Sequence, residues 1–392
     1  LTPFAEARRL VLERVAPLGT EVISLDGLSG RVFAQDLVCP FDVPHFDNSQ
    51  VDGYAVRAAD TGPRHVVGVS AAGGATSPSV DSGEAVRIFT GAPLPTGADA
   101  VVMQEDARRE GAVVWLEENP KAGDLVRRRG EEIAAGAFFE VRGRVATPPF
   151  IGLAASFGFA AIEVVRHPRV TVVATGSELV PPGSSLGKGQ VYASNPAAIA
   201  AAIRGMGLAS VETRLVGDQP NDTDAVLDRA LESSDVVITV GGVSVGEHDL
   251  VRPTLARLGT EELLWRVAIK PGKPFYFGRH GDKPVFGLPG NPVSALVTFV
   301  LFVRPALRRM LGHPEPEEET VARLGTAIQR TDLRYEFLRA TLADGVARPV
   351  EAQGSHMQTG LAFANALIHV PEKIASLRAG EKVNVTALGW DG

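Results

Sequence analysis

Apolar residues along this chain follow two periods, and the places where the period changes mark its domains. From Pro3 to Val15 the apolar positions Phe4, Ala7, Leu10, Val11 and Val15 recur at helical spacing, which predicts one amphipathic helix. Between Val38 and Gly130 the apolar runs are short and rich in valine: 66–69, 86–89, 100–104 and 113–116. Gly, Pro and Asp turns part them, which predicts a small all-β module. Helical spacing returns over 147–158 with Ile151, Leu153, Ala154 and Phe157. The β module therefore reads as an insertion between two segments of a helical domain.

From Arg169 the two periods alternate. Runs at 170–174, 211–216, 236–240 and 263–269 predict strands. Ser194-Asn195-Pro196 predicts a helix start, with a capping side chain and proline in the first turn. That helix ends near Gly205 or Gly207, and further helices are predicted over 222–231 and 250–258. Such alternation predicts a doubly wound parallel sheet covered on both faces, binding ligand beyond the carboxyl ends of its strands. An acidic, proline-containing linker at 312–319 precedes short strands at 334–342, 347–349, 366–370 and 382–387. The expected architecture is multidomain α/β plus β. It has a discontinuous helical linker domain (1–37 and 134–166), an inserted β module (38–133), an α/β domain (167–314) and a carboxyl-terminal β-barrel-like domain (318–392).

Composition narrows the function. With 392 residues, 45% of them hydrophobic and 22% charged, the chain can bury several cores and is not a disordered protein. A net charge of −7 argues against general affinity for nucleic acid. Any anionic ligand must then be captured by local amides and cations. The single cysteine, Cys39, excludes an intramolecular disulfide and a zinc–cysteine cluster, and fits a reducing cytoplasm. The longest apolar stretch, 295–303, is far short of the roughly 20 residues that span a bilayer. No secretory signal is visible; the chain opens at Leu1 rather than Met, so a few residues are expected to precede it.

Three turns carry the candidate chemistry. The run 236–240 leads straight into Gly241-Gly242-Val243-Ser244-Val245-Gly246-Glu247-His248-Asp249. Glycines at a strand exit let backbone N–H groups approach an anionic oxygen, and carboxylates suit a hard cation that neutralises it. A second strand leads into Gly176-Ser177-Glu178. The third turn, Gly287-Leu288-Pro289-Gly290-Asn291-Pro292, is stiffened by two prolines and opens a long apolar helix from about Ser294, whose first amides are an anion site. One such turn alone usually just connects elements; three at one sheet edge point to a phosphate-and-magnesium site.

A fourth element, Lys270-Pro271-Gly272-Lys273-Pro274, holds two ammonium groups close together on a stiff turn, which favours an oxyanion between them. In the β module Asp52-Gly53 is first of all a turn dipeptide, though Asp52 could serve a site formed against another domain or subunit. Thr90 lies in a loop ordered by Gly and Pro, with a hydroxyl suited to phosphate. His248 has no partner histidine nearby and reads as solvated. No Walker A motif occurs.

These segments, in this order, resemble the molybdopterin molybdenumtransferase family, the MoeA-like proteins and the E domain of gephyrin. The resemblance runs nearly end to end: NSQVDGYAVR at 48–57, IFTGAPLPTGADAVVMQED at 88–106, ATGSEL at 174–179, GGVSVGEHD at 241–249, KPGKP at 270–274, GLPGNPVS at 287–294 and ANALIHVP at 364–371. It implies a homodimer with four domains per subunit, one of them similar to the MogA-like molybdopterin-binding fold. It implies insertion of molybdate into adenylated molybdopterin, with Mg²⁺ required and AMP released.

Position by position, the resemblance places Asp249 at a metal–pyrophosphate centre with Glu178 as a second metal-side acid, and Asp52 faces them from the partner subunit. Thr90, Gly241, Gly242, Ser244 and Gly246 fall at substrate-binding positions, as do Pro289, Pro292 and Ser294. Lys270, Lys273, Arg339 and Ser355 match residues that hold molybdate or the substrate's phosphates. Gln50-Val51 before Asp52 and His356 beside Ser355 depart from the usual pattern. Transient complexes with a MogA-like adenylyltransferase and with molybdoenzyme maturation factors are implied as well. Three other readings stand beside this one: a tungstate-inserting homologue, a molybdopterin adenylyltransferase, and a peptide-binding scaffold.

Overall fold

The computed structural model describes residues 1–74, 78–208, 210–243, 249–314 and 319–390. They form two compact units. One comprises Leu1–Ala34, Gly143–Thr147 and Ala161–Gly392; the other comprises Gln35–Arg142 and Pro148–Ala160.

The first unit is built on a six-stranded sheet in the order Val211–Val216, Val170–Thr175, Val236–Val240, Lys283–Leu288, Tyr276–His280, Glu261–Trp265. The first four strands are parallel, with Val170 opposite both Val211 and Val236. All five residues of Val236–Val240 are buried, as expected for a strand covered on both faces. Side chains alternate between two cores because successive strand residues point to opposite faces. Val170, Val172, Ala174, Val236, Ile238 and Val240 share a core with Ile199 and Ile203 of the helix Ser194–Gly205. Val173 and Val237 instead meet Leu227 and Leu231 of Pro220–Ser233 and Leu255 of Val251–Arg257.

The sheet is not parallel throughout. Tyr276–His280 and Lys283–Leu288 are joined by Gly281-Asp282, a connection short enough only for antiparallel neighbours. The predicted strand 263–269 is two pieces. Glu261–Trp265 forms the antiparallel edge. Arg266 then takes a positive φ of 68°, which ends the strand, and Ile269–Lys270 pairs in parallel with Tyr335 and Glu336. The apolar helix from Pro292 is also broken. Pro292–Thr298 passes into a wide turn, Phe299–Val303, before Arg304–Met310. Pro305 has no N–H to offer the preceding turn and its ring crowds that carbonyl, which the wider turn relieves.

The carboxyl-terminal strands close on themselves. Tyr335–Ala343, Val346–Pro349, Thr320–Leu324, Lys382–Ala387 and Ala366–Val370 follow in order, and Ala366–Val370 returns to pair with Tyr335–Ala343. Closure removes the free edges. The amino-terminal helix Phe4–Glu13 packs Phe4 against Phe302 and Phe337, so it belongs to this unit's core. The antiparallel pair Thr20–Ser24 with Ala161–Val165 lies here too, whereas the helix Pro148–Ser156 lies in the second unit.

That second unit holds a six-stranded sheet in the order Ala100–Met103, Gly53–Val56, Glu84–Ile88, Arg64–Ser70, Val113–Leu116, Ala107–Glu110. Alternation again gives two small cores, one around Ala55, Val86 and Val101 and one around Tyr54, Val56 and Val102. Cys39 is buried and donates to the Phe41 carbonyl at 3.0 Å, a structural thiol. Among the described residues no helix is long and apolar enough to cross a membrane.

One polar lock sets the start of the central strand. Asp235, just ahead of Val236, accepts from Arg166 Nη1 and Nη2 at 2.9 and 3.0 Å, and from the Arg169 amide at 2.8 Å. Burial opposes its charge, but these hydrogen bonds win and hold the carboxyl well below the usual range. A depressed folded-state pKa adds stability above the unfolded value, about 3.9, and loses it as pH falls toward the folded value. Asp235→Ala should therefore cost about 2 kcal/mol in urea unfolding at pH 7, with the gap to the parent narrowing below about pH 4. A gap independent of pH would sink this account.

Candidate functional site

The first unit's strand order reverses between Val170–Thr175 and Val236–Val240. The chain leaves the first to one side, to Val211–Val216, and returns on the other. Helices on opposite faces diverge there and leave a crevice at the carboxyl ends of the strands. A cavity of about 690 Å³ occupies it. Its walls are the strand exits themselves: Thr175-Gly176 with Glu178, Gly241-Gly242-Val243 with Asp249, and Pro289-Gly290 with Pro292. The three glycine turns singled out in the sequence thus lie at one edge.

Each turn is shaped by the absence of a side chain. A Cβ on Gly241 would lie 2.9 Å from the Thr175 carbonyl oxygen, and one on Gly242 would lie 2.5 Å from Val251 Cγ2. Both have positive φ, 88° and 65°, which glycine adopts without strain. The Gly241 amide donates to the Leu288 carbonyl at 3.0 Å, tying the second turn to the third. A Cβ on Gly176 would sit 2.6 Å from Glu178 Oε2, so the exposed Glu178 carboxylate folds back over its own turn. Ser244, Gly246, Glu247 and His248 lie outside the described residues.

A third carboxylate escaped the sequence reading. Asp218 lines the cavity and accepts the Ser177 amide at 2.9 Å, while its own amide donates to Ser177 Oγ at 2.9 Å. The signal was present: Gly217-Asp218 follows the strand 211–216 just as Gly176-Ser177-Glu178 follows 170–175. Thr175 Oγ1 was missed as well; it is buried at the cavity wall with no hydrogen-bond partner among the described residues.

The helix Ser194–Gly205 starts at the cavity, but the expected side-chain cap is absent. Its candidates are used elsewhere. Asn195 Nδ2 donates to the Gly290 carbonyl at 2.7 Å, and Ser194 Oγ accepts from Gln358 Nε2 at 3.2 Å. No side chain caps the first amides, and the helix dipole favours an anion there.

The predicted cation elements sit around this cavity in different ways. Pro274 lines it, while Lys270 and Lys273 are not among its lining residues. Lys270 Nζ pairs at 2.8 Å with Glu336, a buried carboxylate that Arg330 Nη1 also approaches at 3.6 Å. Lys273 is exposed, and no described residue pairs with it. Ser294 is buried in the first turn of its helix. Ser355 Oγ accepts from Asn291 Nδ2 at 3.2 Å and its carbonyl accepts the Val293 amide at 3.1 Å, so the 354–358 segment is fastened to the third turn. His356 and Gln358 reach the cavity. Arg339 is fully buried beneath this segment, with Nη2 donating to the Ala352 and Gly354 carbonyls at 2.5 and 3.3 Å. Its Nε and Nη1 have no described partner, and burial lowers its pKa despite the charge of Glu336.

Asp52 and Thr90 meet within the second unit. The Thr90 amide and hydroxyl both donate to Asp52 Oδ1 at 2.8 Å, and with nearby Arg87 they lower the Asp52 pKa. Asp52-Gly53 is no hairpin turn, because Gly53 opens a strand.

Glu178, Asp218 and Asp249 line the cavity without a lysine or arginine among its described lining residues. A phosphate chain there would need a cation. Among the described residues no three acids or histidines are gathered tightly enough to cage a metal. Mg²⁺ rarely uses such a cage; it is commonly held by one or two carboxylates plus substrate phosphates, and these hard oxygen donors fit it.

Comparison with known proteins agrees along the whole length. Residues 2–158 match the MoeA N-terminal region (domains I and II), 171–309 a probable molybdopterin-binding domain, and 321–388 the MoeA C-terminal region (domain IV). The chain is 37% identical to molybdopterin molybdenumtransferase 2 of Mycobacterium tuberculosis, over 98% of both chains. It is 36% identical to the molybdopterin molybdenumtransferase of Haemophilus influenzae, over 97% of both. The crystal structure of a molybdopterin biosynthesis MoeA protein from Pyrococcus horikoshii superposes with a TM-score of 0.84 at 33% identity, covering 99% of each chain.

Proposed function

Because the chain belongs to the MoeA family of molybdopterin molybdenumtransferases, which act in molybdenum cofactor biosynthesis by inserting molybdenum, we propose that the switch-point cavity is where it does so. The substrate we assign is adenylated molybdopterin, with AMP as the second product. One observation carries this reading: a cavity of about 690 Å³, walled by glycine turns and three carboxylates, sits where the strand order reverses.

In this reading the amide of Gly242 and the open start of the helix at Ser194 hold the pyrophosphate, while the Gly241 amide, spent on the Leu288 carbonyl, fixes the turn. Asp249 and Glu178 would hold Mg²⁺, which when bound would draw charge from the phosphoanhydride as water cleaves it into AMP and the pterin monophosphate. Pro289 and Pro292 fix the third turn against the substrate. Molybdate lies toward Lys270, Lys273, Ser294, Arg339 and Ser355. The Nε and Nη1 of Arg339, which have no partner among the described residues, support an oxyanion there, since a buried guanidinium with unused donors is costly until an anion joins it. Asp52, ordered by Thr90, completes the site from a second copy in a homodimer. A cytoplasmic setting is part of the proposal and is supported by the lone, buried Cys39.

Reconstitution from purified adenylated molybdopterin tests it. Cofactor should form with molybdate and Mg²⁺, and fail with unadenylated molybdopterin even when ATP is supplied. Tungstate in parallel reads the oxyanion preference. Lys273→Ala should raise the molybdate concentration for half-maximal formation about tenfold, the cost of one charge-assisted hydrogen bond. An unchanged requirement would remove Lys273 from the oxyanion site.

A further inference from the structure

The cavity has one wall whose chemistry the phosphate and metal roles leave unused. Leu179, Val191 and Tyr192 form it, between the Glu178 turn and the helix start at Ser194. Tyr192 is 43% exposed and Val191 51%, so both leave surface open to a ligand. This wall is built rather than loose. The Val191 amide donates to the Glu178 carbonyl at 2.9 Å, and the Ala193 amide to the Val180 carbonyl at 2.9 Å. The Tyr192 hydroxyl donates to the Ser184 carbonyl at 2.9 Å. Its polar atom is therefore engaged and its ring is pinned in place. What remains for a ligand is the aromatic face.

We propose that Tyr192 is the stacking platform for a flat nitrogen heterocycle of the substrate. This inference rests on the phosphate reading of the same cavity. An anion at the uncapped start of the helix Ser194–Gly205 would lie two residues along the chain from Tyr192. A ring joined to that phosphate by a sugar or a short carbon chain then reaches the tyrosine face. Purine and pterin rings share the needed chemistry, a planar π-system without charge. Stacking of such a ring on an aromatic side chain is sequence-tolerant and substantial.

The test titrates AMP, neopterin monophosphate and inorganic pyrophosphate, each with Mg²⁺, into the full chain by calorimetry. Tyr192→Leu removes the ring; Tyr192→Phe keeps the ring and removes the tether to Ser184. Tyr192→Leu should weaken one ring-bearing ligand about tenfold and leave pyrophosphate unchanged, while Tyr192→Phe stays within about threefold. Loss confined to AMP assigns the platform to the purine, and loss confined to neopterin monophosphate assigns it to the pterin; either supports the proposal. Equal affinities for both ring ligands in parent and Tyr192→Leu overturn it and leave the phosphate site standing. A parallel loss of pyrophosphate in Tyr192→Leu also overturns it, because the residue would then be shaping the loop. Failure of pyrophosphate to bind the parent protein removes the phosphate site, and this inference with it.

Discussion

Replacing Asp249 with alanine is expected to lower cofactor formation at least about 100-fold while shifting unfolding by no more than about 1 kcal/mol. Asp249 is a half-buried residue lining the cavity, at the end of the second glycine turn and just ahead of the helix Val251–Arg257. It belongs to none of the apolar cores, so its loss opens no void. Its effect should fall on charge. With no lysine or arginine among the described cavity-lining residues, a pyrophosphate depends on the cation that the carboxylates bring. Reconstitution yield and urea unfolding, measured on the same preparation, check both halves. Near-normal yield would remove Asp249 from the metal side. The dimer proposal adds a sharper form. Asp52→Ala and Asp249→Ala, each inactive alone, should regain about a quarter of parental activity when subunits are exchanged, because half the dimers then hold one intact site. No recovery on mixing would place both acids in the same subunit's site.

What was legible in the sequence was whatever a local period encodes. The alternation of Val170, Val172 and Ala174 against Val173 announced a strand buried on two faces, and the structure assigns those residues to two separate cores. The three glycine turns were legible because each follows such a strand directly. Partnerships made across the fold were not. Nothing near Lys270 announces that its ammonium meets the buried Glu336, a contact made only because Ile269–Lys270 joins the barrel sheet. Ser194 and Asn195 have cap chemistry, yet their side chains bond Gln358 and Gly290, which distant segments bring within reach. The antiparallel edge of the sheet was hidden for a different reason. A strand's apolar run carries no direction, and only the brevity of the Gly281-Asp282 connection reveals it.

Gly53 is the plainest case of a residue whose local meaning misleads, and Gly53→Ala is expected to be among the most damaging single substitutions in the second unit. Asp-Gly suggests a hairpin, where glycine supplies a positive φ. Here Gly53 starts a strand and is needed for space. A Cβ would lie 1.8 Å from the Val102 carbonyl oxygen and 2.8 Å from its carbon, both backbone atoms that cannot rotate away. Nor can the strand easily slide, since Gly53 is in register with both Met103 and Ile88. The Gln104 amide donates to the Asp52 carbonyl at 3.0 Å, and Arg87 Nη1 donates to the Gly53 carbonyl at 2.7 Å. Relief must come from parting Gly53–Val56 from Ala100–Met103, at a cost of about 3 kcal/mol or more. The same displacement moves Asp52 away from the Thr90 amide and hydroxyl. Calorimetric melting and reconstitution together separate the two effects. Asp52→Ala should lose activity with little change in melting, whereas Gly53→Ala should lose both. Parental melting in Gly53→Ala would show that the carbonyl of Val102 does not press on this position, and the spatial reason for glycine beside Asp52 would fall.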